Sequence, residues 1–151
     1  MNKSIRFFYW ILTGLVILVT YGCEDDKNLD KEALLTAHPW KFEKAETTSS
    51  NPDIQSATAL ASGLLAAFGA EWTFYENGTH VLTFTNMEPP ESDDGTWELS
   101  SDGKTLYLTM GDEEQEEAHI KSLTSSRLVF EEELWDDVLQ ENYTTTNSWV
   151  K

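Results

Sequence analysis

The chain has 151 residues, of which 40% are hydrophobic, and this length suits a single domain with some additional tail. Lys3 and Arg6 are the only basic residues before Cys23, so the chain from Cys23 onward carries 8 basic and 27 acidic residues, a net charge of −19. Such a polyanion, which contains no run of Lys or Arg, is excluded from binding nucleic-acid phosphates.

The first 22 residues have the pattern of an export signal. Lys3 and Arg6 form a basic start, and the apolar run 7–19 is shorter than the roughly 20 residues that a membrane-spanning helix needs. Gly22 and the single Cys23 follow, and then three acidic residues at 24–26. The sequence therefore predicts a signal peptide over residues 1–22.

The segment around Cys23 resembles the lipobox of bacterial lipoproteins, in which the Cys becomes the acylated first residue of the mature chain. The resemblance implies lipid attachment at Cys23 and a Gram-negative cell-envelope location, in the outer membrane and facing the periplasm or the surface. The lone Cys cannot form an intramolecular disulfide, and acylation would account for it. A free thiol beside an unprocessed signal anchor is the open alternative.

Residues 23–36 are predicted to be an acidic tether, because 24–30 are charged and have no apolar period. One or two helical turns are possible at 31–37. Residues 37–151 then form the predicted domain. Its first strand lies near 40–45, where Trp40 and Phe42 share one face and Pro39 suits a strand start.

Residues 52–68 are predicted to form a helix. Asn51 is a good N-cap, Pro52 fits the first helical position and Gly69 suits the C-cap. Apolar residues recur at three- and four-residue steps, namely Ile54, Ala57, Leu60, Ala61, Leu64, Leu65 and Phe68. No residue between Asp53 and Glu71 is charged, so the helix either plugs one end of a sheet or acts as a movable portal for a ligand.

Two consecutive β-hairpins follow the helix. Trp72 and Phe74 alternate with polar residues before Asn77-Gly78, a dipeptide that favours a tight hairpin turn. The predicted strands of this hairpin are 71–75 and 79–85. A second pair, 95–100 and 104–110, flanks the turn that contains Asp102 and Gly103.

The remaining chain continues the alternating pattern. Strands are predicted at 117–123, 127–132 and 142–150, the segment 87–94 is predicted to be a loop, and the apolar residues of 134–139 have helical spacing. With the first strand, this gives eight strands in a mainly β chain.

The order of these features resembles the small lipocalin-like domains of bacterial lipoproteins. The motifs concerned are WTFYENGT, GTWELSSDGKTLYLT and IKSLTSSRLVF, which lie between residues 72 and 130. The resemblance implies an antiparallel meander of about eight strands, closed into a barrel or half-barrel, with one helix between the first two strands. A barrel of this size is either filled by side chains or holds one small ligand.

We expect the lining of such a pocket to come from large apolar residues of the hairpins and the helix. The candidates are Trp72, Phe74, Leu82, Phe84, Trp97, Leu99, Leu64 and Phe68. The same residues would form a packed core if the barrel were filled.

No catalytic or cofactor motif is present, so the sequence predicts neither an enzyme nor a bound cofactor. His38, His80 and His119 are scattered and are expected at exposed or strand-edge positions rather than around a metal. Two functions remain open. The first is binding of a small hydrophobic or amphipathic ligand inside a membrane-anchored barrel, and the second is a non-catalytic envelope module with a filled barrel that contacts a protein or glycan partner.

Overall fold

A computed structural model describes residues 26–111 and 114–151. The predicted signal peptide 1–22 and Cys23 lie outside these residues. The elements are α1 (Asp26–Thr36), β1 (Trp40–Thr47), α2 (Pro52–Phe68), β2 (Ala70–Phe74), β3 (Thr79–Phe84), β4 (Glu91–Leu99), β5 (Thr105–Met110), β6 (Glu116–Leu123), β7 (Arg127–Asp136) and β8 (Glu141–Val150).

The eight strands form one closed antiparallel barrel in chain order, and β1 completes the ring by pairing with β8. Every neighbouring pair is antiparallel, from β1 with β2 round to β7 with β8. The prediction of an eight-stranded meander with one helix between its first two strands is confirmed. Residues that pair across strands share one face, so the register identifies which side chains point inward.

One end of the barrel is closed by α1. The Leu35 side chain of this helix is fully buried in the core, and the Trp40 indole N–H donates to the Leu35 carbonyl at 2.8 Å. Lys31 also reaches across to donate to the Gly103 carbonyl. The segment 23–36 was expected to be a tether with at most one or two helical turns at 31–37, whereas the helix spans residues 26–36 and its Leu35 packs into the core.

The opposite end carries α2, which lies where β1 and β2 separate. These strands pair only through Trp40 with Trp72 and Lys41 with Glu71, so the rest of β1 has no partner on that side. The caps of α2 are as expected: the Asn51 side chain accepts from the Asp53 amide, and Gly69 has a φ of 66°. Helix α2 therefore covers the part of β1 that does not pair with β2.

Two segments differ from the sequence prediction. Strand β4 begins at Glu91, inside the predicted loop 87–94, because β3 is long enough to pair with it as far as Phe84. The helical spacing of 134–139 does not produce a helix, since β7 continues to Asp136 through its ladder with β8 and residues 137–140 form a turn. In both places strand pairing overrides the local sequence pattern.

Candidate functional site

The two ends of the barrel interior differ in packing. At the α1 end Trp40, Phe74, Leu106 and Leu128 are fully or almost fully buried, while Trp97 and Leu123 are half-buried. At the α2 end the half-buried apolar side chains that face inward and pack against the core are Phe42, Leu82, Phe84 and Met110. We call the α2 end of the interior the mouth. These half-buried apolar side chains line the part of the interior that we call the recess.

The predicted pocket residues fall into three groups. Trp72, Phe74 and Leu99 are buried below the mouth. Leu82 and Phe84 lie at the mouth, and Trp97 lies towards the closed end, where its indole N–H donates to the Tyr75 carbonyl. The helix residues form the third group.

The two predicted helix residues lie largely on the outer surface. Leu64 is 45% exposed and Phe68 is 39% exposed, and the Phe68 ring meets the Phe84 ring edge-on at 6.4 Å. Leu65, rather than Leu64, packs against the core. The contact face of α2 consists of its buried and half-buried positions, which are Ile54, Thr58, Ser62 and Leu65.

A hydrogen-bonded pair lies beneath the mouth. His80 is fully buried, and its Nδ1 accepts from the Trp72 indole N–H at 3.0 Å. An accepting Nδ1 leaves the proton of the neutral ring on Nε2, which faces the backbone of Thr96 and Thr109. Burial lowers the pKa of His80, so the ring stays neutral near pH 7. The expectation of an exposed or strand-edge position is wrong for His80.

The Trp149 indole is a buried donor without a partner among the described residues. Trp149 is 4% exposed and faces inward from β8, opposite Leu128 on one side and Phe42 on the other. Its ring lies 5.2 Å from the Phe42 ring and 5.1 Å from the Trp72 ring. The Trp149 Nε1 atom finds no acceptor in the described part of the chain. Leaving such a donor unpaired costs about 1–3 kcal/mol, which a bound acceptor or a water would recover.

The side chain of Glu132 on β7 faces the barrel interior. It pairs with Ala118 on one side and Thr145 on the other, both of which are buried. Its Oε2 accepts from the Asn147 side-chain amide at 2.7 Å. Burial and the nearby negative charge of Glu116 raise the pKa of Glu132 to about 7, against the opposing effect of the Asn147 hydrogen bond.

Three further carboxylates, all of them exposed, have the strand parity of interior residues around the mouth. Glu91 pairs with Phe84, Asp93 with Leu82 and Glu116 with Leu108, so each shares the face of an interior residue. We refer to Glu91, Asp93, Glu116 and Glu132 as the mouth carboxylates. They come from three strands, β4, β6 and β7.

Sequence reasoning missed His80 and Glu132, although a signal for both was present. His80 has the same strand parity as Leu82 and Phe84, and Glu132 has the same parity as Leu128 and Phe130. In a strand, alternate residues line one face whatever their polarity. Parity would therefore have placed both side chains in the interior.

We expect Glu132→Gln to stabilise the domain above neutral pH and to have no effect in acid. Unfolded Glu132 loses its proton near pH 4.5, whereas folded Glu132 keeps it up to about pH 7. As pH rises from 4.5 to about 7, Glu132 therefore lowers the free energy of unfolding, and above about pH 7 this lowering is complete. Because the side chain keeps some exposure, we expect a gain of roughly 1–3 kcal/mol at pH 8.

Urea titrations of both proteins between pH 4 and pH 8 would measure this difference. The lowered pKa of His80 acts in the opposite sense, because its protonation at acid pH destabilises the fold. Both proteins contain His80, so its contribution cancels in the difference between their unfolding free energies. A constant difference between them at all pH values would contradict a buried, proton-binding Glu132.

Within residues 26–111 and 114–151, no three His, Cys, Asp or Glu side chains lie close enough to hold a metal ion. In the same residues, neither α1 nor α2 has the length and apolar character of a membrane-crossing helix.

The sequence itself decides the family. Residues 9–130 match the family model for the lipocalin-like domain, which is most of the chain. The chain belongs to the lipocalin-like family. This agrees with the predicted resemblance and with the closed antiparallel barrel.

Solved structures similar to this lipocalin-like domain include those of bovine odorant-binding protein. Its complex with a selenium-containing odorant has 22% identity and a TM-score of 0.46, and the match covers 80% of this chain and 71% of that one. A deswapped triple mutant has 21% identity and a TM-score of 0.43, covering 76% and 72%. The complex with its natural ligand has 22% identity and a TM-score of 0.43, covering 76% and 69%. No curated protein matches the chain.

Proposed function

We propose that this lipocalin-like domain binds a small apolar or amphipathic ligand, without catalysis, in the α2 half of its barrel. The observation that carries the proposal is a group of half-buried apolar side chains that face inward at the α2 end, namely Phe42, Leu82, Phe84 and Met110. Covering such surface is worth about 25 cal/mol per Å², so an apolar guest would be held there.

Helix α2 lies over this recess and would act as its lid. Its contact face mixes the apolar Ile54 and Leu65 with the polar Thr58 and Ser62, and the Ser62 hydroxyl accepts from the Ala45 amide at 2.9 Å. Ala45 lies on the part of β1 that has no strand partner on that side. No charged residue between 54 and 70 would have to be desolvated if α2 moved. Opening would break the hydrogen bonds that hold its ends, from the Gln55 side chain to the Ser49 carbonyl and from the Asn86 side chain to the Ala67 carbonyl.

Binding can be tested with the neutral fluorescent probe N-phenyl-1-naphthylamine and two matched substitutions. Ala45→Trp adds an indole at an inward position of the mouth, and Ala59→Trp adds the same group on the exposed side of α2. We expect saturable probe fluorescence with the wild type and Ala59→Trp, and at least a tenfold weaker affinity with Ala45→Trp. Equal binding by both variants, or no saturable signal from the wild type, would contradict the proposal.

We further propose that the domain is attached to the outer membrane of a Gram-negative envelope through an acylated Cys23. The support is the lipobox-like pattern of the sequence, with a basic start, an apolar run and a lone Cys before acidic residues. Each buried methylene of an acyl chain contributes about 0.8 kcal/mol, so two or more chains would give stable anchoring.

Substitution Cys23→Ser is expected to move the full-length protein from the membrane fraction to the soluble fraction of the expressing cells. Intact-mass measurement of the detergent-extracted wild type should show the added acyl mass. Membrane association that persists in Cys23→Ser, at the mass of the unmodified full chain, would instead support a retained signal anchor.

One observation favours a second function, an interaction module. Helix α2 exposes apolar side chains to solvent, since Leu60 is 65% exposed and Leu64, one turn further on, is 45% exposed. Exposed apolar patches of this kind often mark contact surfaces. An envelope protein or glycan bound there, with a mouth that takes up no apolar probe, would favour this function over ligand binding.

A further inference from the structure

We propose that Trp149 anchors the ligand of this barrel through its indole N–H, and that the ligand therefore carries an uncharged acceptor oxygen, such as that of a ketone, an ester or an alcohol. This inference rests on the proposed ligand-binding function. It adds a residue that determines specificity and the kind of polar group that this residue recognises.

The indole of Trp149 lies on the interior wall of the barrel, next to the recess. Across the strand pair its neighbour is Phe42, which lines the recess, and the two rings lie 5.2 Å apart at an angle of 81°. Its inward neighbour on β8 toward the α2 end is Asn147, which is half-buried like Phe42. Its other neighbours, Trp72 and Leu128, are buried. Trp149 therefore lies at the boundary between the buried core and the recess.

The indole N–H of Trp149 differs from the others in the described part of the chain. Trp149 is only 4% exposed, and its Nε1 atom has no acceptor among the described residues. Each of the four other indoles donates a hydrogen bond: Trp40 to the Leu35 carbonyl, Trp72 to His80 Nδ1, Trp97 to the Tyr75 carbonyl and Trp135 to the Asp137 carboxylate. Buried polar groups are nearly always paired, and an indole N–H can only donate. The partner that Trp149 lacks is therefore an acceptor.

The surroundings of Trp149 favour an acceptor without charge. Its inward strand neighbours Phe42, Leu128 and Asn147 are uncharged, and the chain as a whole has a net charge of −17. A carboxylate buried beside them would lose far more hydration free energy than one hydrogen bond returns. An uncharged oxygen gives up much less hydration, and the apolar remainder of the molecule can cover the side chains of the recess.

Proton NMR of the wild-type protein reads out this donor directly, with its indole resonance assigned by its loss in Trp149→Phe. A proton that donates to oxygen is shifted downfield, so without ligand we expect the Trp149 signal upfield of those of Trp40 and Trp97, which donate to carbonyls. Acetophenone should move the Trp149 signal downfield. Its isostere α-methylstyrene, in which a methylene group replaces the carbonyl oxygen, should not.

The same two ligands and benzoate test specificity by displacing bound N-phenyl-1-naphthylamine at pH 8, where benzoate is an anion. We expect the ratio of acetophenone affinity to α-methylstyrene affinity to fall about fivefold in Trp149→Phe. The ratio should be unchanged in Trp135→Phe, which removes an exposed indole. Both ligands have the same shape, so a general change in packing cancels in this ratio. Benzoate should bind most weakly.

Three results would overturn the inference. A Trp149 signal already as far downfield as those of Trp40 and Trp97, and unmoved by acetophenone, would show a donor paired with a trapped water only. An affinity ratio that is equal in Trp149→Phe and the wild type, or benzoate binding as tightly as acetophenone, would refute the anchor or its preference for an uncharged group. Each of these leaves the proposed function intact. Failure of the probe and of all three ligands to bind would refute the proposed function, and the inference with it.

Discussion

Replacement of Trp40 by Ala is expected to lower the free energy of unfolding by about 3–5 kcal/mol. Trp40 is fully buried, pairs with Trp72 where β1 meets β2, and donates its indole N–H to the Leu35 carbonyl of α1. Its loss would leave a cavity at the closed end and detach the helix that covers it. Urea unfolding followed by circular dichroism would measure the change.

The matched control is Trp135→Ala on β7. Trp135 is 50% exposed, and its indole N–H donates to the Asp137 side chain within the same turn region. We expect this substitution to cost less than about 1 kcal/mol, because little buried surface is lost. Similar costs for both substitutions would show that α1 and Trp40 do not close the barrel as described.

Gly95→Ala is expected to destabilise the domain by at least about 3 kcal/mol or to prevent folding. Gly95 lies on the inward face of β4, between His80 and Met110 on the adjacent strands. A β-carbon placed there would lie 1.8 Å from the Thr109 carbonyl oxygen and 2.8 Å from His80 Nε2. The first contact is with backbone, so β4 and β5 would have to separate to relieve it.

Gly63→Ala provides the opposite control within the same chain. Gly63 lies in the middle of α2, and a β-carbon there would meet nothing within 4 Å. Because Ala favours the helix over Gly, we expect a gain of about 0.5–1 kcal/mol. Urea titrations of both variants should therefore shift in opposite directions. A Gly95→Ala protein as stable as the wild type would contradict the close approach of β4 and β5.

The barrel could be predicted from the sequence because its signals are local. Asn77-Gly78 and the alternation of Trp72 and Phe74 fix a hairpin within about a dozen residues, and Asn51 and Gly69 mark the ends of a helix in the same way. Strands in chain order need no further information to form a meander.

The features that depend on distant contacts could not be predicted in the same way. Helix α1 is stabilised by Leu35 in a core that forms only when the strands close, and its sequence alone has a weak apolar period. The outward position of Leu64 follows from how α2 contacts β1, which no local pattern specifies. The inward Glu132 contradicts the usual rule that acids are exposed, and only its strand parity indicates where it lies.

The measurement that tests the central claim most directly is quenching of the interior indoles by a brominated fatty alcohol, in a Trp135→Phe background that removes the exposed indole. Bromine quenches only on close approach, and Trp72 and Trp149 lie beside the proposed recess. We predict saturable quenching that is reversed by the unbrominated alcohol. Quenching that rises linearly with concentration, as it does for free tryptophan in solution, would contradict a ligand site inside the barrel.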